Sequence, residues 1–98
     1  MHNITSQAVR PPGCTALYIH SDGSFIIKHY YFNDKIILYM EDKKRQTDFY
    51  GCFQSMELKP ALQDNYIIIP LVKHKQRTKA RVSAFIVAYY EDIKKGLL

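Results

Sequence analysis

The amino-acid sequence predicts an α+β fold, an antiparallel sheet of about five strands with a C-terminal helix packed on it. Three observations lead there. Runs of β-branched and aromatic residues recur along the chain, separated by turn signals such as Ser21-Asp22-Gly23 and Asn33-Asp34. Eight tyrosines and no tryptophan supply side chains that suit half-buried strand faces. Near the end, Val82, Phe85, Ile86, Tyr89 and Ile93 fall at i, i+3, i+4, i+7 and i+11, which is one face of a helix. The alternative is an all-β small barrel or sandwich, in which residues 81–90 form a sixth strand favoured by their Val, Phe, Ile and Tyr content.

In chain order, residues 1–13 read as a flexible N-terminal tail, because they are polar and close on Pro11-Pro12-Gly13. Residues 14–98 read as a single β-rich domain, the size expected of one hydrophobic core. Residues 15–20 and 24–32 are expected to pair as a hairpin through the turn at Ser21-Asp22-Gly23. Residues 35–40 extend this to a three-stranded meander through Asn33-Asp34. Residues 41–48 carry three cations and three anions and read as a solvated loop. Residues 49–56 are expected to be a fourth strand, with Gly51 marking a bulge or a close backbone approach. A connection runs from Lys59-Pro60 to Asp64-Asn65, and residues 66–72 form the fifth strand. Ile67, Ile68 and Ile69 suggest cover on both of its faces, and Pro70, which cannot donate to a ladder, sits at an edge or strand end. The helix is expected from about Arg81 to Lys95, stopped by Lys94-Lys95-Gly96 with glycine at the first position past the cap.

Charge is the most informative functional signal. The chain has 14 Lys and Arg against 9 Asp and Glu. Five of those cations, Lys73, Lys75, Arg77, Lys79 and Arg81, alternate through one nine-residue stretch that holds no acid. Without them nine cations face nine anions, so this stretch holds the whole formal charge of +5. If extended, it is a comb with cations about 6.6 Å apart on one face. If helical, Lys73, Arg77 and Arg81 share one side, and Lys75 and Lys79 form a second row. Either shape suits contact with phosphates, which Lys and Arg neutralise with release of counterions. Tyr30 and Tyr50, in the aromatic runs Tyr30-Tyr31-Phe32 and Phe49-Tyr50, are candidate base-stacking rings beside it.

Catalytic and metal-binding patterns are thin. Cys14 and Cys52 stand in no motif, and there is neither a Cys-x-x-Cys nor a His-x-x-x-His spacing, so no metal and no cofactor are expected. His2, His20, His29 and His74 offer no spacing that selects a Cys–His pair. His74, between Lys73 and Lys75, is the one candidate general base, since adjacent cations favour the neutral imidazole. The first ten residues lack an apolar signal core, and no run of about 18 apolar residues occurs, so a cytoplasmic protein with free thiols and no membrane span is expected.

Parts of the chain resemble the bacterial competence transcription factor family (ComK-like). The likeness runs from Thr15 to about Tyr90. It rests on an opening strand leading to Asp22-Gly23, the aromatic-glycine run Phe49-Tyr50-Gly51, and Lys59-Pro60 ahead of a strand that ends in Pro70 before basic residues. The chain departs from the family in being about half its usual length and in having no tryptophan, hence no Cys-x-Trp segment. The resemblance implies DNA binding and transcriptional control.

The leading expectation is a small, basic, non-enzymatic nucleic-acid-binding or regulatory protein that contacts phosphates through Lys73, Lys75, Arg77, Lys79 and Arg81. One alternative is an interaction or inhibitor module, possible as a homodimer, that presents a Tyr-rich sheet face or an exposed strand edge to a partner such as an acidic protein. Another is a small endoribonuclease of the toxin type with His74 as base.

Overall fold

The computed structural model describes residues 13–19 and 25–97, so the expected tail up to Pro12 and the turn at Ser21-Asp22-Gly23 lie outside the described residues. The elements run β1 (Ala16–Ile19), β2 (Ile26–Phe32), β3 (Lys35–Tyr39), α1 (Lys43–Ser55), β4 (Ala61–Gln63), β5 (Tyr66–Pro70) and α2 (Lys75–Lys94). The five strands form one antiparallel sheet in the order β1-β2-β3-β5-β4, which makes the fold α+β as the sequence predicts.

Strand alternation sorts the side chains. Ile27, Ile36, Leu38, Ile67 and Ile69 point to one face and are fully buried. Both helices lie on that face. Phe49 and Phe53 of α1 and Val82, Ile86, Tyr89 and Tyr90 of α2 close the core against it. The other face of the sheet carries Lys28, Tyr30 and Phe32 from β2, Lys35, Ile37 and Tyr39 from β3, and Tyr66, Ile68 and Pro70 from β5, all half-buried or exposed. The expectation that Ile67 to Ile69 is covered on both faces therefore holds for one face only: Ile68 stays half-buried.

Two tight connections are set by residues that tolerate left-handed backbone. Asn33 (φ 55) begins the two-residue link from β2 to β3, and Asp64 (φ 53) does the same between β4 and β5. The second link explains β4, a three-residue exposed edge strand inside what reads from sequence as a plain connection.

The largest correction is α1. The expected charged loop over 41–48 and the expected strand over 49–56 are one helix, Lys43–Ser55. Asp42 caps it, its carboxylate accepting from the backbone N–H of Arg45 at 3.1 Å. The mixed-charge run supplies good helix formers in the first turn, and Gln46, Phe49 and Phe53 bury one stripe. The helix closes on a Schellman motif built without glycine. Glu57 (φ 61) takes the left-handed position and donates to the Gln54 carbonyl, and the Leu58 N–H bonds the Phe53 carbonyl at 3.1 Å. Leu58 and Phe53 are both buried, which supplies the apolar contact of that motif.

Gly51 accordingly marks neither a bulge nor a close approach. It sits exposed within α1, and a Cβ added there meets nothing within 4 Å. Gly51→Ala is expected to stabilise the protein by about 0.5–1 kcal/mol, read as a higher urea midpoint at unchanged slope.

The C-terminal helix is longer than its apolar stripe suggests. It begins at Lys75 rather than about Arg81 and ends at Lys94. Its end follows the sequence reading: Gly96 (φ 78) occupies the left-handed position, Gly96 N–H bonds Ile93 O at 3.0 Å, and Leu97 N–H bonds Asp92 O at 2.9 Å. Among the described residues, no helix is long and apolar enough to cross a membrane.

Candidate nucleic-acid interface

Most of the basic segment is helix, and helical geometry divides it. Residues two apart in a helix point about 200° apart, so the alternating cations fall on nearly opposite sides. Lys75 and Lys79 turn toward the sheet. Lys75 Nζ pairs with Asp34 Oδ1 at 3.0 Å, tying the helix start to the β2–β3 turn, and that bond holds the Asp34 carboxyl below the usual carboxylate range. Lys79 lays its ammonium over the Tyr31 ring, 4.6 Å from the centroid, with its stem half-buried. Arg77 and Arg81, one turn apart, project from the exposed side, and Lys73 is exposed in the loop before the helix. Among the described residues, no carboxylate forms an ion pair with Lys73, Arg77, Lys79 or Arg81.

The start of α2 is electrostatically unusual. His74 stands at the N-cap with left-handed backbone (φ 51) and makes no side-chain capping bond, and the first turn holds no acid. Lys75 and Arg77 thus sit where the helix dipole favours negative charge, each disfavoured by a few tenths to about 1 kcal/mol. An anion bound here relieves both the dipole and the repulsion among the cations. Beside it, Lys73 and Lys59 share a hollow of about 330 Å³ with Glu57, Pro70, exposed Val72 and Thr78.

The two predicted stacking rings part company. Tyr50 is on α1, not on a strand. It packs at the core margin, and its hydroxyl accepts from Gln54 Nε2 at 3.2 Å. It shares a flank with Gln46, one turn away, which bonds the Asp64 carbonyl of the β4–β5 turn. The Arg45 flank is the one that meets α2, through Tyr89 Oη at 3.0 Å. Tyr50 therefore faces away from the helix that carries the cations. Tyr30 lies on the sheet face that, among the described residues, no helix covers, in a shallow depression of about 450 Å³ with Gly13, Tyr31, Phe32, Ile37 and Tyr66. Phe32, 61% exposed and part of the aromatic run Tyr30-Tyr31-Phe32, lies on the same face, and Tyr66, 39% exposed, is the ring there that sequence reasoning did not single out. Their signal was strand parity: Tyr30 and Phe32 share a face in β2, and Tyr66 reaches it through its pairing with Tyr39.

The catalytic candidates do not assemble. Cys14 Sγ donates to the carbonyls of Ala16 and His29 at 2.9 and 3.7 Å, and neither ring nitrogen of His29 has a hydrogen-bond partner, so the two form no dyad. Cys52 is exposed on α1 and His74 is exposed at the start of α2. His2 and His20 lie outside the described residues. Among the described residues, no three His, Cys, Asp or Glu side chains cluster as metal ligands would. No protein family, curated protein or solved structure matches this chain.

Proposed function

We propose that this protein binds nucleic acid, with the start of α2 as its phosphate contact. The observation that carries the reading is the placement of Lys73, Arg77 and Arg81. They are exposed, without ion-pair partners among the described residues, and run from the loop before α2 along the exposed side of a helix whose own first turn holds no acid and whose N-cap side chain makes no capping bond. A solubilising surface has no need to set cations against the helix dipole. A phosphate site does, because bound anions reverse that cost. Lys75 and Lys79 have different work: they fix the helix to Asp34 and Tyr31 and orient the exposed row. The resemblance to competence transcription factors points to DNA as the ligand.

The test is a binding titration between ~50 and ~200 mM salt, in which log affinity is expected to fall linearly with log salt. Replacing Lys73, Arg77 and Arg81 together with Gln is expected to reduce the magnitude of that slope by about 2–3, at about 0.7–0.9 per phosphate contact. An unaltered slope, or no binding to any nucleic acid at the lower salt, ends the proposal.

A further inference from the structure

The open sheet face has a composition that structural packing does not require. Its strand positions hold Tyr30, Phe32, Tyr39 and Tyr66 with two cations, Lys28 and Lys35, and no carboxylate; the one acid that reaches these rings among the described residues is Glu41, just past β3, which accepts from the Tyr39 hydroxyl. Lys28 Nζ lies 5.1 Å from the Tyr39 ring centroid, and the Tyr39 and Tyr66 rings are 5.3 Å apart. Leu17 at the β1 side is buried, so the accessible part spans β2, β3 and β5. Phe32 and Tyr30 stand two residues apart on one strand, about 6.7 Å along it, room for one planar ring over each.

This face also runs into the basic helix start. Phe32, Lys35 and Pro70 line up at one end of the sheet, where register sets Lys35 between Phe32 and Pro70. At that end Asp34 holds Lys75, and the chain leaves Pro70 for Lys73 after two residues. The aromatic face and the exposed cations are one continuous surface, folded around the sheet end.

We propose that the open sheet face is a stacking platform for single-stranded nucleic acid, with bases on Phe32, Tyr30 and Tyr66 and phosphates led to Lys35 and Lys73. The inference rests on the phosphate reading of the α2 start and adds the form of the ligand. Rings on a sheet face that no described element covers can take only bases that are unpaired and splayed; a duplex keeps its bases stacked on each other and offers the face no partner. Charge selects this occupant over an apolar one, because the face is cationic and leads to the most cationic part of the chain. It also disfavours a second copy of this chain, which would bring the same charge to it.

The test uses the full chain with a labelled oligothymidylate of about 12 nucleotides, its RNA counterpart and a duplex of the same length. Phe32→Ala and Tyr66→Ala are each expected to weaken single-strand binding about 5-fold to 150-fold, the range measured for one stacked base, while leaving the salt slope of the wild type in place. The Gln variants at Arg77 and Arg81 do the reverse and flatten the slope. Phe32→Trp places one tryptophan in a chain that otherwise has none, and its fluorescence is expected to be quenched by the single strand and not by the duplex. This reporter keeps the test decisive if an Ala variant folds poorly. Equal affinity for duplex and single strand, unquenched fluorescence of the Phe32→Trp variant with single strand bound, or Ala variants that bind like wild type overturn the platform and leave the basic contact standing. Self-association that Phe32→Ala abolishes, or a protein ligand that displaces the oligonucleotide from the face without contacting the cations, also overturns it. Absence of all nucleic-acid binding removes both proposals together.

Discussion

Replacing Phe49 with Ala is expected to cost about 3–5 kcal/mol of folding stability, a large part of the ~5–15 kcal/mol that holds a domain of this size. Phe49 is fully buried and joins the two helices to the sheet. Its ring lies 4.6 Å from Tyr89 and 5.0 Å from Phe85 on α2, 5.9 Å from Phe53 on its own helix, and 6.3 Å from Phe25 ahead of β2, all by ring centroid. No single neighbour can move into the space, because each is held by another aromatic contact. Phe85 also meets Phe53, and Phe25 also meets Tyr90, whose hydroxyl bonds the Phe25 carbonyl at 3.2 Å. The truncation therefore leaves a cavity as well as losing transfer free energy. Urea unfolding followed by circular dichroism measures the loss. Gln54→Ala, on the exposed side of the same helix, is the control and should stay within about 0.5 kcal/mol of wild type. A cost below about 1 kcal/mol for Phe49→Ala rules out α1 as a packed element.

The same residues show why α1 is hard to read from sequence. Phe49 and Phe53 are four apart, a spacing that fits one face of a strand as well as one face of a helix. Phe49, Tyr50 and Phe53 favour the strand on propensity, and Gly51 counts against a helix. The discriminating position is Gln46, three before Phe49: on a strand it would face the other way, and here it is buried on the same stripe. A polar residue gives hydropathy patterning nothing to detect, yet its amide is satisfied by the Asp64 carbonyl at 2.9 Å. The stop signal is equally hidden, since Glu57 rather than glycine takes the left-handed position. The meander and the end of α2 were legible because each carries explicit chemistry: Asn33-Asp34 between alternating strands, and Gly96 after Lys94-Lys95. The start of α2 was not, because its first two turns rest on the sheet end through Lys75 and Lys79 instead of through an apolar stripe. For the candidate site, charge alternation located the cations but not their division into an inward and an outward row. Only helix geometry makes that division. Tyr30 lies on a strand as expected, whereas Tyr50 follows the mistaken strand onto the far flank of α1.

Stability is expected to fall by about 3 kcal/mol as pH drops from about 6.5 to about 4, through one residue, His29. His29 is 1% exposed on the inner face of β2, between Ala16 of β1 and Leu38 of β3. Its ring is stacked with Tyr18 at 6.4 Å and meets Tyr31 edge-on at 5.0 Å, and neither nitrogen has a hydrogen-bond partner among the described residues. Burial alone disfavours the imidazolium and lowers the pKa to about 4. Above pH ~6.5 the imidazole is neutral in both states and titration leaves stability unchanged. Between the two values the unfolded chain binds a proton that the folded chain refuses, so acid draws the equilibrium toward unfolding. The full loss is reached once pH falls below the folded value, and a depression from 6.5 to about 4 corresponds to about 3 kcal/mol. The carboxyl of Asp34, held low by Lys75, titrates below this window and does not obscure it. His29→Phe keeps an aromatic ring in the site and removes the titration. The variant should show a flat urea midpoint from about pH 7 to about pH 4.5 where wild type declines. It should also be more stable than wild type at neutral pH, because an unpartnered buried polar ring costs stability even uncharged, on the order of 1–3 kcal/mol for groups of this kind. The exposed His74, present in both proteins, cannot reproduce the difference. A wild-type midpoint that holds steady across this range means that His29 is solvated or hydrogen-bonded in solution, against its burial between Tyr18 and Tyr31.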